Sequence, residues 1–297
     1  TVYYIFGYVK TNDGLIYYSA PQALVVHPWN LVNNDVFAKT TGEGAIDFAA
    51  GANAFVIETA ADLTNLNLSA NGTSGSDGLK GTTSLEDLQA AYWTQPCRFV
   101  QTKDIGTVTF ANPIGDTTAF TGTYNGQNYN ITSLEVTGNA TYAGMFGLFT
   151  GASIKNLNVE ALTLTGATTG SVGLIANVDP AATTVIDNIT LNNVDVSAIG
   201  TAANVAGLIG VTDDSAVTVN NVSVTFKTDT GIKGTAAAGL IGTAGINTSI
   251  ANANVTTQGT GTITGTTHAS GLVGMFNGTG IDNANVTLSA ALSATDD

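Results

Sequence analysis

From residue 143 onward, apolar positions alternate with Gly, Thr, Asn and Asp in runs of about five residues. That is the two-residue period of a strand, not the 3.6-residue period of a helix. Two motifs recur within the pattern. The first is Ala143-Gly144-Met145-Phe146-Gly147, which returns at 172–176, 206–210, 238–242 and 270–274; its leading glycines, Gly144, Gly173, Gly207, Gly239 and Gly271, lie 29, 34, 32 and 32 residues apart. The second follows each copy of the first and reads Ile/Val-x-Asn-apolar-polar-apolar over 154–159, 186–191, 219–224, 250–255 and 281–286. Its asparagines, Asn156, Asn188, Asn221, Asn252 and Asn283, lie 32, 33, 31 and 31 residues apart.

One such unit has no partner for its strand edges and no second layer for its apolar face. Stacking the copies about 4.8 Å apart supplies both, so the repeats predict an all-β fold, a β-solenoid of the parallel β-helix type. Glycine suits tight corners or positions of positive φ. The asparagines read either as an amide ladder up one edge or as ordinary turn residues. The adjacent apolar pair inside the first motif (Met145-Phe146, Leu174-Ile175 and so on) either reaches the core at a corner or leaves one stripe outside, for a domain or partner to cover.

Residues 104–136 read as degenerate lead-in coils, with Asn125-Gly126 as a tight-turn signal between alternating segments. Before them, the capping box Thr83-Ser84-Leu85-Glu86 predicts a short helix to about Tyr92, stopped by Pro96, that covers the open end of the stack. Residues 1–80 lack the repeat. Segments 2–9 and 15–26, around the Thr11-Asn12-Asp13-Gly14 turn, predict an aromatic-rich hairpin, and alternating segments near 36–37, 45–48 and 54–59 extend it into a small β-domain. The Gly/Ser/Asn-rich loop 70–82 is its boundary. The expected organisation is therefore 1–80 as a β-rich domain, 81–142 as capping helix and lead-in coils, and 143–297 as a five-copy solenoid.

Phe120-Thr121-Gly122-Thr123-Tyr124-Asn125-Gly126, followed by the repeated Ala-Gly-Leu-Ile-Gly and Ile-x-Asn-apolar-polar-Val elements, resembles the GLUG-motif repeat proteins over residues 82–288. In that family such repeats occur in bacterial cell-surface and adhesin-like proteins. The resemblance implies an extracellular β-solenoid and brings no catalytic residues with it. Ala176 stands where the motif closes on Gly, which predicts an irregular coil there.

Composition narrows the function. Hydrophobic residues make up 43% and charged residues only 10%, which argues against disorder. A net charge of −14 repels nucleic acid and anionic lipid. No apolar run reaches the eighteen or so residues of a spanning helix, and a start at Thr1 rather than Met suggests either a removed signal peptide or a sequence that begins within a longer chain. The single cysteine, Cys97, cannot form an internal disulfide. Ten Asn-x-Ser/Thr triplets, at Asn67, Asn71, Asn130, Asn139, Asn188, Asn221, Asn247, Asn254, Asn277 and Asn285, are candidate glycosylation sites.

Chemistry is sparse. From residue 140 onward the only basic residues besides histidine are Lys155, Lys227 and Lys233, too few to neutralise a polyanion in a lyase-like groove. His27 and His268 have no triad partner at a recognisable spacing. The pairs Asp213-Asp214 and Asp296-Asp297 read as solvated turn and tail residues, with an isolated calcium at Asp-rich loops as the remaining metal reading. No cofactor motif is present. The expected function is a secreted, non-enzymatic structural or adhesive protein, a self-assembling subunit of a surface fibre or layer whose partners are copies of itself or other surface proteins. The strand carrying Val2, Tyr4, Phe6 and Tyr8 is either donated to a neighbour or paired within its own domain. The alternative is a monomeric glycan-binding adhesin using Trp29 or Trp93. Below it rank ice binding by the threonines of 162–165 and 262–264, and a polysaccharide-active enzyme.

Overall fold

The second motif places its apolar residues at positions 1, 4 and 6, a set that a uniform strand cannot bury on one face. Asparagine at position 3 removes the conflict. Asn156, Asn188, Asn221, Asn252 and Asn283 adopt φ of 53°, 55°, 52°, 52° and 48°, the left-handed conformation that asparagine tolerates better than other non-glycine residues. Each resets the alternation of its strand, so Ile154, Leu157 and Val159 all point inward, as do Ile186, Ile189 and Leu191 in the next coil.

The computed structural model describes residues 55–70 and 98–294, except 117–118, 140, 167–168, 180–182, 197–203, 215 and 290. It also describes the backbone of Val2–Ile5, Tyr8–Lys10, Ile16–Tyr18, Gln22–Val25 and Asn30–Leu31. The fold is the β-solenoid, with about five turns of parallel strands. The largest sheet stacks Ser153–Val159, Thr184–Asp195, Val217–Phe226, Thr248–Thr256 and Gly280–Thr287. A six-stranded sheet runs from Tyr142–Ala143 to Ala291–Ala294, and a five-stranded sheet from Phe146–Phe149 to Val273–Phe276.

The Gly-Leu-Ile element is the corner between the two smaller sheets. Both apolar residues of each pair reach the core there; Leu174, Ile175, Leu208, Ile209, Leu240 and Ile241 are buried. None of the leading glycines has a positive φ, so their role is close approach. A Cβ on Gly239 would lie 2.2 Å from the carbonyl oxygen of Gly271, and one on Gly144 2.3 Å from that of Gly173. The coils bond through this corner, with Gly207 N donating to the Gly239 carbonyl at 3.1 Å. The coil containing Ala176 is regular: Ile175, Asn177 and Val178 pair with Ile209, Val211 and Thr212, the register that those residues repeat one coil later.

The lead-in segment belongs to the stack, since Ile105–Phe110 and Ser153–Val159 both pair in parallel with Asn130–Thr137. The turn lies two residues beyond the expected position. Tyr129 N bonds to the Gly126 carbonyl at 2.9 Å, and the central residues are Gln127 and Asn128, at φ 49° and 63°. Gly126 is instead pressed against the next coil, where a Cβ would meet the Asn156 carbonyl oxygen at 2.4 Å. The flanking strands Thr123–Asn125 and Asn130–Thr137 do not form a hairpin; both pair with Ser153–Val159. Phe99, Phe120, Tyr124, Phe146 and Phe149 fill these first coils, with ring centroids 5.5–6.0 Å apart. The Tyr124 hydroxyl is buried, which raises its pKa, and it bonds Gln101 Oε1 at 3.2 Å.

The helix expected after Thr83 and the boundary loop 71–82 lie outside the described residues. The described helix is Ala60–Ala70. Thr59 and Asp62 form a reciprocal capping box: Asp62 N donates to Thr59 Oγ1 at 3.2 Å and Thr59 N to Asp62 Oδ2 at 3.0 Å. Leu63 and Leu66 are fully buried, and the helix packs against Ile105–Phe110 in the first coil. Phe55–Ile57 pairs in parallel with Arg98–Gln101, so this strand, expected in a separate domain, belongs to the largest solenoid sheet. Near the N-terminus Val2–Ile5 pairs antiparallel with Gln22–Val25, and Tyr8–Lys10 with Ile16–Tyr18.

Candidate functional site

The stack brings the five repeat asparagines into line up one edge, and their amides form two connected ladders. In the first, Asn188 Nδ2 donates to Asn156 Oδ1 at 2.8 Å, and Asn156 Nδ2 to Asn125 Oδ1 at 3.0 Å. In the second, Asn283 donates to Asn252 at 2.7 Å, Asn252 to Asn220 at 3.0 Å, and Asn220 to Asp187 at 3.0 Å. Asn221 joins at Asp187 Oδ1, at 3.1 Å. The ladder thus shifts by one residue between Asn188 and Asp187. Sequence reasoning had no means to see Asn125, Asn220 and Asp187 as members, because they stand outside the repeat position.

All three sheets end in the same last coil. Val273–Phe276, Gly280–Thr287 and Ala291–Ala294 each have a strand partner on one side only among the described residues. Val273 stays buried and Phe276 and Val286 partly so, but two inward positions are uncovered. Ile281 is 43% exposed and Leu292 48%, while the residues stacked beneath them, Ile250 and Ile263, are 2% and 0% exposed. Leu288 is also exposed. Among the described residues, this coil therefore presents a strand edge on each sheet beside exposed apolar side chains. The opposite end differs, since helix Ala60–Ala70 lies against the first coil.

The strand containing Val2, Tyr4 and Tyr8 is paired within the chain, Val2 and Tyr4 with Val25 and Ala23, and Tyr8 with Tyr18. Phe6 lies outside the described residues, as do Trp29, Trp93, His27, Cys97, Asn71 and Asp296-Asp297. The remaining sequons divide into two groups. Asn67 is buried with its amide donating to the Asn112 carbonyl, Asn139 donates to Asp116, Asn247 donates to the Asp214 carbonyl, and Asn188 and Asn221 are held in the ladders. Asn254, Asn277 and Asn285 are exposed, and Asn130 is half-buried.

His268 is exposed, and its Nδ1 lies 2.8 Å from the Thr267 hydroxyl. Partial burial raises the pKa of Asp213; the charges of Asp179 and Asp214 add to this, and a hydrogen bond with Asn177 opposes it. Among the described residues no three His, Cys, Asp or Glu side chains gather into a metal site, and no helix is long and apolar enough to cross a membrane. Thr163 stacks between Glu135 and Asp195, and Thr264 between Lys233 and Ser293, so neither heads a threonine column. Comparison with family models, curated proteins and solved structures returns no match.

Proposed function

We propose that this chain is a non-enzymatic structural protein of a microbial surface, secreted and self-assembling, whose last coil receives a strand from another copy. The observation that carries the reading is the coil at Val273–Phe276, Gly280–Thr287 and Ala291–Ala294, partnered on one side only among the described residues, with Ile281 and Leu292 nearly half exposed over the buried Ile250 and Ile263. A free edge over an apolar centre gains both backbone hydrogen bonds and burial when a strand is added. The donor is the N-terminal hairpin. Among the described strands its four segments pair only with one another, and an isolated two-stranded hairpin is marginal in water. The helix packed on Ile105–Phe110 makes the first coil unlike the last, which favours growth by strand addition over simple end-to-end stacking. Resemblance to the GLUG-motif proteins and a chain with 10% charged residues support a place on the cell surface.

The test is electron microscopy and light scattering over a concentration series. Wild type is expected to form end-on oligomers, and both the Ile281→Asp/Leu292→Asp double variant and a chain lacking residues 1–26 are expected to remain monomeric. A wild type that stays monomeric throughout, or a double variant that assembles as wild type does, rejects the proposal.

A further inference from the structure

The chain carries seven lysines and a single arginine, Arg98, against 22 acidic residues. Two of these eight cations line one cavity of about 350 Å3, on the outer face of the largest sheet where its first coils stack. Strands Arg98–Gln101, Thr123–Asn125 and Ser153–Val159 lie side by side there, with Arg98 beside Thr123, and Val100 beside Asn125, which in turn is beside Lys155. Phe99, Tyr124 and Ile154 point into the core. Alternation therefore turns Arg98, Thr123, Ser153, Asn125 and Lys155 outward, toward the cavity they line.

These groups are donors. Asn125 accepts at Oδ1 from Gln127 N at 2.9 Å and from Asn156 Nδ2 at 3.0 Å, which fixes its amide and leaves Nδ2 for a ligand. Lys155 makes no ion pair among the described residues. Its neighbour in the stack, Asp187, accepts at Oδ1 from Asn220 and Asn221 and forms no ion pair with Lys155 among the described residues. A guanidinium carries five N–H donors, so Arg98 can hold a protein partner and still grip a carboxylate. No acidic side chain lines the cavity. Its volume, at the lower end of the roughly 300–1,000 Å3 of ligand pockets, admits a small saccharide. Hydroxyls and a fixed amide between two cations match a ring of hydroxyls that bears an anion.

We propose that this pocket binds a carboxylated saccharide, a uronic-acid unit of an acidic polysaccharide, with Arg98 and Lys155 on its carboxylate and Asn125, Thr123 and Ser153 on ring hydroxyls. The site is independent of the assembly edge. Calorimetric titration of the full chain with trigalacturonate, its methyl ester and a sulfated galactan oligomer tests it, using wild type, Arg98→Ala, Arg98→Lys and Lys155→Ala. The expected result is saturable binding of trigalacturonate, at least tenfold weaker binding of the ester, and at least a tenfold loss in each alanine variant. Arg98→Lys should recover part of the affinity, and melting temperatures should not change, because neither cation is buried. Absence of saturable trigalacturonate binding, equal affinity for the ester, indifference to both alanine substitutions, or binding of the sulfated oligomer alone would overturn the assignment.

Discussion

Asparagine at the third position of each repeat does two jobs at once: it accepts a left-handed backbone and bonds along the stack. Asn188→Ala loses both. A non-glycine residue in that conformation costs about 1–2 kcal/mol and each lost amide bond about 1 kcal/mol, so chemical denaturation should show a loss of about 2–4 kcal/mol. Asn188→Gly keeps the backbone and should lose only about half as much; equal losses would refute the conformational part. Glycine gives a second contrast. Gly239→Ala drives a Cβ to 2.2 Å from a backbone oxygen and should cost more than about 3 kcal/mol, while Gly280→Ala, with nothing within 4 Å, should leave stability unchanged or slightly raised. At Asp213 burial and the neighbouring Asp179 hold the folded pKa above the ordinary 3.8, so the folded chain binds more protons just above that pH and stability falls as pH rises through the window. Asp213→Asn should therefore have a higher urea midpoint than wild type at pH 7 and match it near pH 3; an unchanged midpoint at pH 7 would show that the carboxylate is not destabilising.

At the scale of elements, the helix and the corners separate what was legible from what was not. The repeat asparagines and glycines could be read because two rare requirements, a left-handed backbone and a close approach between coils, recur at fixed spacing. Ala60–Ala70 was missed although Thr59 and Asp62 spelled its capping box. Thr64, Asn65 and Asn67 within it are weak helix formers, and the burial of Leu63 and Leu66 against the first coil overrides that local preference. The turn after Thr123–Asn125 was displaced for a related reason. Gly126 was read through turn chemistry, whereas its small size is required by the neighbouring coil, a contact no local pattern displays. Leu66→Ala should accordingly cost about 2–5 kcal/mol, as for a core residue, and Thr59→Ala about 0.5–2 kcal/mol, as for a cap. Thermal melts of the two variants would order them; a Leu66→Ala change no larger than that of Thr59→Ala would mean that the helix does not close the core.

At the scale of the whole molecule, a solenoid is a one-dimensional stack in which each coil is held mainly by its neighbours, so stability should be graded along the axis. Coils in the middle have a partner above and below, and the one containing Gly280–Thr287 has a partner on one side only among the described residues. In the monomer its amides should exchange with solvent much faster than those of Val217–Phe226, which has Thr184–Asp195 below and Thr248–Thr256 above. The same asymmetry separates two substitutions of one type. Ile250→Asp places a charge where exposure is 2% and should unfold the chain or cost several kcal/mol, whereas Ile281→Asp, where exposure is 43%, should change monomer stability by little. If another copy completes the coil, assembly should slow exchange at Gly280–Thr287 selectively, and Ile281→Asp should remove that protection while leaving the exchange of Val217–Phe226 as it was. Uniform protection gained along the stack on assembly would mean instead that the subunits associate side by side, with the open coil taking no part.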